Sequence, residues 1–168
     1  MAKSKSKSKK IDPTVGMLRH TVATLAYRAG KAVRGAPAEF AGFQSAPGVR
    51  TPARILAHMG DLLDWALSIA QGKEAWHNSA PLEWDAEVAR FFAALKAFDG
   101  YLASGKKLQT TVERLFQGPI ADALQHTGQL TILRRIAGAP IRGENYSKAD
   151  IVAGRVGAEQ PAPKREFD

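Results

Sequence analysis

The sequence predicts an all-α protein, and within that class a four-helix bundle. Apolar residues recur at spacings of three and four in several long segments, as they do along one face of an α-helix. No segment keeps the alternation of period two that is typical of a half-buried strand. Gly- and Pro-containing stretches separate four long amphipathic segments, and such segments with modest connections favour a bundle.

The first helix is predicted over about residues 13–34. Asp12 is a good N-cap, and Pro13 suits the first helical position because its missing N–H has no partner there. Gly35 and Pro37 end the helix. Its apolar stripe consists of Val15, Leu18, Val22, Leu25, Ala29 and Val33.

The second helix is predicted from Pro52 to about residue 71, with Thr51 as its cap and Gly72 as its stop. The loop before it, residues 36–50, is long for a plain helix connection, so we expect it to pack as a flap. The stripe of this helix consists of Ile55, Met59, Leu62, Ala66 and Ile69.

The third helix is predicted over about residues 82–103, followed by a short helix over 108–116. Gly118 and Pro119 are expected to interrupt the helical segment. Pro119 is then expected to begin the fourth main helix, which runs to about residue 137. The third helix has the broadest apolar face, formed by Val88, Phe91, Phe92, Leu95, Phe98 and Leu102.

Both ends of the chain are predicted to lie outside the bundle. Residues 1–12 form a basic tail that we expect to be disordered, residues 13–140 form the bundle, and residues 141–168 form an extended C-terminal segment. Five lysines near the start carry much of the net charge of +8, leaving +3 on the rest. Without an aromatic side chain for base stacking, the tail predicts only non-specific contact with nucleic acid.

Composition excludes several classes of protein. The 168 residues suit one domain, and no apolar run is long enough to predict a membrane span. The sequence has no cysteine, which excludes disulfides, thiolate metal ligands and a cysteine nucleophile, and fits a cytoplasmic protein. The start lacks the apolar core of a secretory signal. A phosphate-binding glycine loop, a nucleophile elbow and a His-Glu-x-x-His motif are also absent.

A candidate site arises from two helices. Asp122 and His126 are four residues apart, so they share one face of the fourth helix, and His58 interrupts an apolar stripe of the second. Two imidazoles and a carboxylate can supply three ligands to a divalent metal and leave positions open for water or substrate. The alternative is a helix-surface Asp–His pair with a separate, hydrogen-bonded His58.

Two further residues are candidate neighbours of the ligands. Gln129 is one turn beyond His126 and could orient its imidazole. Asp61, three residues after His58, could accept a hydrogen bond from a ligand imidazole or hold a substrate cation. The alternative for Gln129 is a polar residue at a helix edge, and the alternative for Asp61 is a solvated charge. His77 receives no role from the sequence.

Two segments resemble the DinB/YfiT superfamily of damage-inducible-type four-helix bundles. They are His58-Met-Gly-Asp-Leu-Leu-Asp-Trp65 and the run from Ala123 to Gly138, in which Gly128-Gln129 follows His126. The resemblance implies a long crossover between the second and third helices. It also implies metal ligands at His58 and His126, with Asp122 standing where many members have histidine and some a carboxylate.

The resemblance implies a bacterial, divalent-metal-dependent enzyme, either a transferase that uses a low-molecular-weight thiol or a hydrolase. Zinc is the first expectation for the metal, with nickel or iron(II) as alternatives. A small-molecule substrate and a homodimer are the expected partners, and an external thiol is a candidate co-substrate. The alternative function is a non-catalytic, metal- or ligand-binding bundle in a stress response.

Overall fold

The computed structural model describes residues 12–167, which are mostly helical with little strand, so the all-α prediction is confirmed. The predicted basic tail falls outside the described residues except for Asp12. The α-helices are α1 (Pro13–Val33), α2 (Pro52–Ala70), α3 (Trp84–Ala103), α4 (Val112–Leu115) and α5 (Ala121–Ile136). Two short strands, β1 (Gly143–Glu144) and β2 (Glu166–Phe167), pair antiparallel.

The starts of α1 and α2 follow the capping chemistry that the sequence predicts. The Asp12 carboxylate accepts a hydrogen bond from the Thr14 backbone N–H at 2.8 Å, and the Thr51 hydroxyl accepts one from the Arg54 N–H at 3.4 Å. A proline occupies the first turn of each helix. These contacts are local in the chain, which is why spacing alone locates them.

The predicted interruption at Gly118 and Pro119 is wrong. The helix continues from α4 through a π-helical segment, Phe116–Ile120, directly into α5. Pro119 lies inside that segment, where the wider π turn accommodates a residue that has no N–H to donate to the preceding turn. The short helix predicted over 108–116 is confined to α4 and this π turn.

Each long helix packs against two others. Helices α3 and α5 both contact α1, and both also contact α2, so the four form a ring in the order α1, α3, α2, α5. Arg19 near the start of α1 pairs with Asp99 near the end of α3 at 2.8 Å, so these two helices run antiparallel. None of the helices within residues 12–167 is long and apolar enough to cross a membrane.

Helices α2 and α3 run in the same direction because their connection returns along α2. The Ala75 N–H donates to the Ser68 hydroxyl near the end of α2, and the Ser79 N–H donates to Asp61 near its middle. The connection therefore crosses the length of the bundle before α3 begins at Trp84. This path places its aromatic and imidazole side chains beside residues of α2.

The core is built from the apolar faces of the four long helices, and the loop before α2 contributes to it. Phe40, from the 3-10 segment Ala38–Gly42, is fully buried and meets the Trp84 ring edge-on at 5.6 Å. The loop thus packs on the bundle as the flap prediction requires. The largest fully buried apolar side chains are Phe40, Phe91, Phe98, Leu25, Leu56, Met59, Leu63, Leu95, Leu115, Ile120 and Leu130.

The segment after α5 has little regular structure and lies against α1. Glu144 is buried there, and it accepts hydrogen bonds from the Tyr27 hydroxyl at 2.7 Å and the Lys31 ammonium at 2.9 Å. Val156 supplies a buried apolar contact of this segment, whereas Phe167 near its end is 54% exposed. Buried polar contacts therefore hold much of the segment in place.

Arg134 closes the end of α1 from across the bundle. Its guanidinium donates to the backbone carbonyls of Ala32, Arg34 and Gly35 and to that of Ala139 beyond its own helix. Burial lowers the pKa of this arginine below its usual value, but a guanidinium remains charged in proteins. A cation at the C-terminal end of α1 also complements the helix dipole there.

Replacing Arg134 by methionine is expected to lower the free energy of unfolding by about 2 kcal/mol, because carbonyl groups lose charged donors in a buried setting. Urea unfolding, monitored by circular dichroism, measures this loss. Arg135→Met is the matched control, since the neighbouring side chain is exposed. An equal loss of unfolding free energy in Arg134→Met and Arg135→Met would contradict the stabilising role of Arg134.

Candidate metal centre

Three side chains from two helices converge between α2 and α5. His58 comes from α2, whereas Asp122 and His126 lie one turn apart on α5. The helices run antiparallel here, since Trp65, later in α2, lies beside Gly118 before α5 begins. One donor atom of each of the three side chains lies within 4.8 Å of the other two.

The separations of the donor atoms are compatible with metal coordination and are slightly longer than those of good hydrogen bonds. His58 Nε2 lies 3.5 Å from Asp122 Oδ2, and His126 Nε2 lies 3.4 Å from Asp122 Oδ1. Good hydrogen bonds between nitrogen and oxygen span about 2.7–3.2 Å. Donors held at zinc-ligand distances around a tetrahedral centre are about 3.3 Å apart. Each imidazole is thus at a ligand-like separation from one oxygen of Asp122, which makes the three side chains a candidate metal centre.

Gln129 contacts the His126 ring from one turn further along α5. Its amide oxygen Oε1 lies 2.7 Å from His126 Nδ1. Because this oxygen can only accept, Nδ1 carries the proton, and in the neutral ring the lone pair lies on Nε2, which is the nitrogen nearer to Asp122. A partner that fixes the tautomer and the ring plane is the usual companion of a ligand imidazole.

The electrostatic setting keeps His58 neutral. Burial lowers the pKa of His58 below its usual value of 6.5, and the charge of a protonated His126 nearby lowers it further. Asp122 opposes this shift, while Arg50 adds to it. At neutral pH the His58 imidazole therefore offers a lone pair, which metal binding requires.

The centre is partly open. The His126 side chain is 9% exposed, that of His58 21% and that of Asp122 41%. A cavity of about 440 Å³ adjoins His126, between α5 and the loop before α2, and Arg50 and Ile55 are among the residues that line it. Such a volume accommodates a small molecule beside His126 and Gln129.

The crossover between α2 and α3 supplies an aromatic wall. The Trp76 ring meets His58 edge-on, with centroids 5.6 Å apart, and meets Trp65 at 5.7 Å. Trp65 in turn donates its indole N–H to Glu74 at 3.1 Å. The wall reduces the access of water to the His58 side of the centre. Trp76 is absent from the sequence-based site because no spacing rule connects a loop residue to a distant helix.

Asp61 does not contact the candidate ligands, contrary to the role suggested for it. It is buried, and it accepts hydrogen bonds from the Ser79 N–H and hydroxyl, each at 2.8 Å, and from Arg90 at 3.0 Å. The physical reason is its place on α2, because Asp61 faces α3 and the crossover whereas His58 faces α5. The carboxylate is thus a structural anchor of the crossover.

A second group of acidic and imidazole side chains surrounds Asp61. His77 Nε2 lies 3.1 Å from Asp61 Oδ1 and 3.5 Å from Asp64 Oδ2. Arg90 already lies against the same oxygen of Asp61, and it approaches so closely because Gly60 has no Cβ to oppose it. The cation of Arg90 already pairs with Asp61, so the burial of this carboxylate needs no metal ion.

The fold and the centre together describe an all-α protein with a candidate donor set of two histidines and one carboxylate. No family model matches this sequence, and comparison with curated proteins and with solved structures gives no match. A functional assignment therefore depends on the motifs and on the geometry of the centre itself.

Proposed function

We propose that this protein is a divalent-metal-dependent enzyme of the DinB-like family, with His58, Asp122 and His126 as the metal ligands. The observation that carries the proposal is the convergence of these donors from two helices that are far apart in the chain. Zinc is the first choice for the metal, and nickel or iron(II) would suit the same two-histidine, one-carboxylate set.

A bound divalent metal would supply Lewis-acid activation, lowering the pKa of a water or a low-molecular-weight thiol so that it acts as a nucleophile near neutral pH. The residues of the chain hold and shape the centre. Gln129 keeps the proton of His126 on Nδ1, and Trp76 limits water on the other side. A thiol would come from outside, because the sequence has no cysteine.

The cavity beside His126 supports a small-molecule substrate. Its wall includes the apolar side chains of Ile55, Leu133 and Ile136, with Arg50 as a cation at the margin. A substrate bound there would lie against His126, one of the three proposed ligands. Hydrolysis and thiol transfer are both compatible with this arrangement, since each needs an activated nucleophile and a neighbouring site for the acceptor.

Metal analysis of the purified, untagged protein tests the proposal. We expect stoichiometric divalent metal in the wild type and loss of that metal in His58→Ala, because two donors hold a divalent ion far more weakly than three. His20→Ala is the matched control, since His20 is an exposed histidine on α1. Elemental mass spectrometry gives the readout.

Protein that takes up no metal even after reconstitution would overturn the proposed centre. Equal metal content in His58→Ala and wild type would overturn the ligand assignment. Thiol-transfer and hydrolysis assays on the metal-loaded protein then address catalysis. Retained metal without turnover in either assay would favour a non-catalytic metal- or ligand-binding bundle.

A further inference from the structure

A second cavity lies on the side of α5 away from the candidate metal centre. It has a volume of about 420 Å³ and is enclosed by α1, α5 and the C-terminal segment. Thr127, Gly128 and Thr131 of α5 form its floor, whereas Tyr146 and Phe167 belong to the wall contributed by the C-terminal segment. The size is that of a site for a small organic molecule.

The cavity is positively charged. Arg28 from α1 and Arg135 from α5 both line it, and both are exposed. Within residues 12–167 neither of them forms an ion pair with a carboxylate. The Arg28 guanidinium lies 4.3 Å above the Tyr146 ring, which leaves the edge of its planar fork available for hydrogen bonds.

The acidic side chain in the lining, Glu144, does not offset this charge. It is fully buried and already accepts hydrogen bonds from Lys31 and Tyr27. The Lys31 ammonium offsets its charge and also pairs with Glu166, which in turn lies 3.7 Å from Arg142. The two guanidinium groups remain uncompensated, and two such groups facing one cavity favour an oxyanion.

Gly128 keeps the floor of this cavity open. It lies in the interior of α5, where glycine disfavours the helix relative to alanine. A Cβ built at this position would meet no atom within 4 Å, so packing against the rest of the chain does not require a glycine. Empty space above Gly128, with the apolar side chains of Leu124 and Ile132 beside it, fits the apolar part of a ligand.

We propose that this cavity binds a small organic anion, namely a carboxylate or phosphate group carried on an apolar body. Arg28 and Arg135 would hold the oxyanion, and the apolar body would lie over Gly128. The planar guanidinium pairs with either oxyanion through two parallel hydrogen bonds. This site is separate from the metal centre, and its ligand binds whether or not metal is present.

Titration of the metal-free, full-length protein with phenyl phosphate and with benzoate, followed by NMR, tests the proposal. We expect saturable shifts of the Gly128 amide with at least one of the two, and the tighter of them identifies the preferred oxyanion. Benzyl alcohol, which lacks the charge, and inorganic phosphate, which lacks the apolar body, should each bind at least about tenfold more weakly.

Variants assign the binding to named residues. Arg28→Gln and Arg135→Gln should each weaken binding by about tenfold, and Gly128→Leu should block it by filling the cavity. Arg114→Gln is the matched control, since Arg114 is exposed on α4 and lies outside the cavity.

Three results would overturn the proposal. The first is the absence of saturable Gly128 shifts with both anions. The second is wild-type affinity in the Arg28→Gln/Arg135→Gln double variant, which would place the binding elsewhere. The third is inorganic phosphate binding as tightly as phenyl phosphate, which would exclude a role for an apolar body. Because both arginines are exposed, the double variant should unfold at the wild-type temperature, so lost binding would not reflect lost structure.

Discussion

Replacing Lys31 by methionine is expected to lower the free energy of unfolding by about 3–5 kcal/mol. The Lys31 ammonium lies 2.9 Å from Glu144 and 2.7 Å from Glu166, and its side chain is only 9% exposed. Without it, the Glu144 carboxylate would stay buried with the Tyr27 hydroxyl as its remaining neutral donor. A buried charge that loses its counterion costs far more than an exposed ion pair contributes.

The contribution of Lys31 is present across the physiological pH range. Burial by itself would lower the pKa of Lys31, but the hydrogen bonds and charges of Glu166 and Glu144 outweigh it and raise the pKa above 10.5. A raised lysine pKa stabilises the folded protein below the pKa of the unfolded chain, and this stabilisation is lost as the pH rises above it. We therefore expect the effect of Lys31→Met to be constant near neutrality and to shrink in strong alkali.

Urea unfolding at pH 7 measures this effect, with Lys96→Met as the control because Lys96 is an exposed lysine on α3. The double variant Lys31→Met/Glu144→Gln should recover part of the loss, since it also removes the uncompensated carboxylate. The C-terminal segment should become more sensitive to limited proteolysis in Lys31→Met. A loss below about 1 kcal/mol would show that this pair does not hold the segment.

Replacing Asp61 by asparagine is expected to cost about 3 kcal/mol, because Arg90 and the crossover would lose a buried, charged acceptor. Asp61 joins three elements, since it lies on α2, binds Ser79 of the crossover and pairs with Arg90 of α3. Asparagine keeps the shape of the side chain but not its charge. Asp64→Asn is the control, because that carboxylate is 40% exposed.

The same substitution should change the response to acid. Burial raises the pKa of Asp61, but the hydrogen bonds from Ser79 and Arg90 outweigh it and bring the pKa below 3.8. A depressed carboxyl pKa stabilises the fold above the unfolded value of 3.8, and this stabilisation is lost as the pH falls below that value. Burial raises the pKa of neighbouring Asp64, so its contribution has the opposite sign.

Acid unfolding curves below pH 3.8 test this expectation. The fall in the free energy of unfolding with decreasing pH should be shallower for Asp61→Asn than for the wild type, because one proton-linked group has been removed. Equal slopes for the two proteins would show that Asp61 does not carry the acid sensitivity.

Local features of the sequence predict most helix boundaries. Asp12 and Thr51 locate the starts of α1 and α2 because a capping side chain bonds to backbone groups two or three residues away. The failure at Pro119 has a tertiary cause: the helix is continuous there, and the π turn Phe116–Ile120 packs against α1 and α2. Proline alone indicates a break, but packing can keep the helix continuous through it.

At the candidate metal centre, too, some contacts follow from local spacing and others from tertiary packing. The spacing of Asp122, His126 and Gln129 places them on one face of α5, and the structure brings the amide of Gln129 to the His126 ring. Whether His58 lies opposite them depends on which helices are neighbours. On that question the sequence offers only the family resemblance. Asp61 follows His58 by three residues, just as Gln129 follows His126, yet its side chain faces α3 instead of the centre.

Sequence patterns alone predict the helical class, the capped starts of α1 and α2 and the shared face of Asp122 and His126. All of these follow from the 3.6-residue period and from contacts within one or two turns. Long-range packing sets the return of the crossover along α2, the position of Trp76 against His58 and the pairing of Lys31 with the C-terminal segment. Those contacts join residues that are distant in the chain. They form because several apolar surfaces are buried together, and no local sequence pattern encodes which surfaces meet.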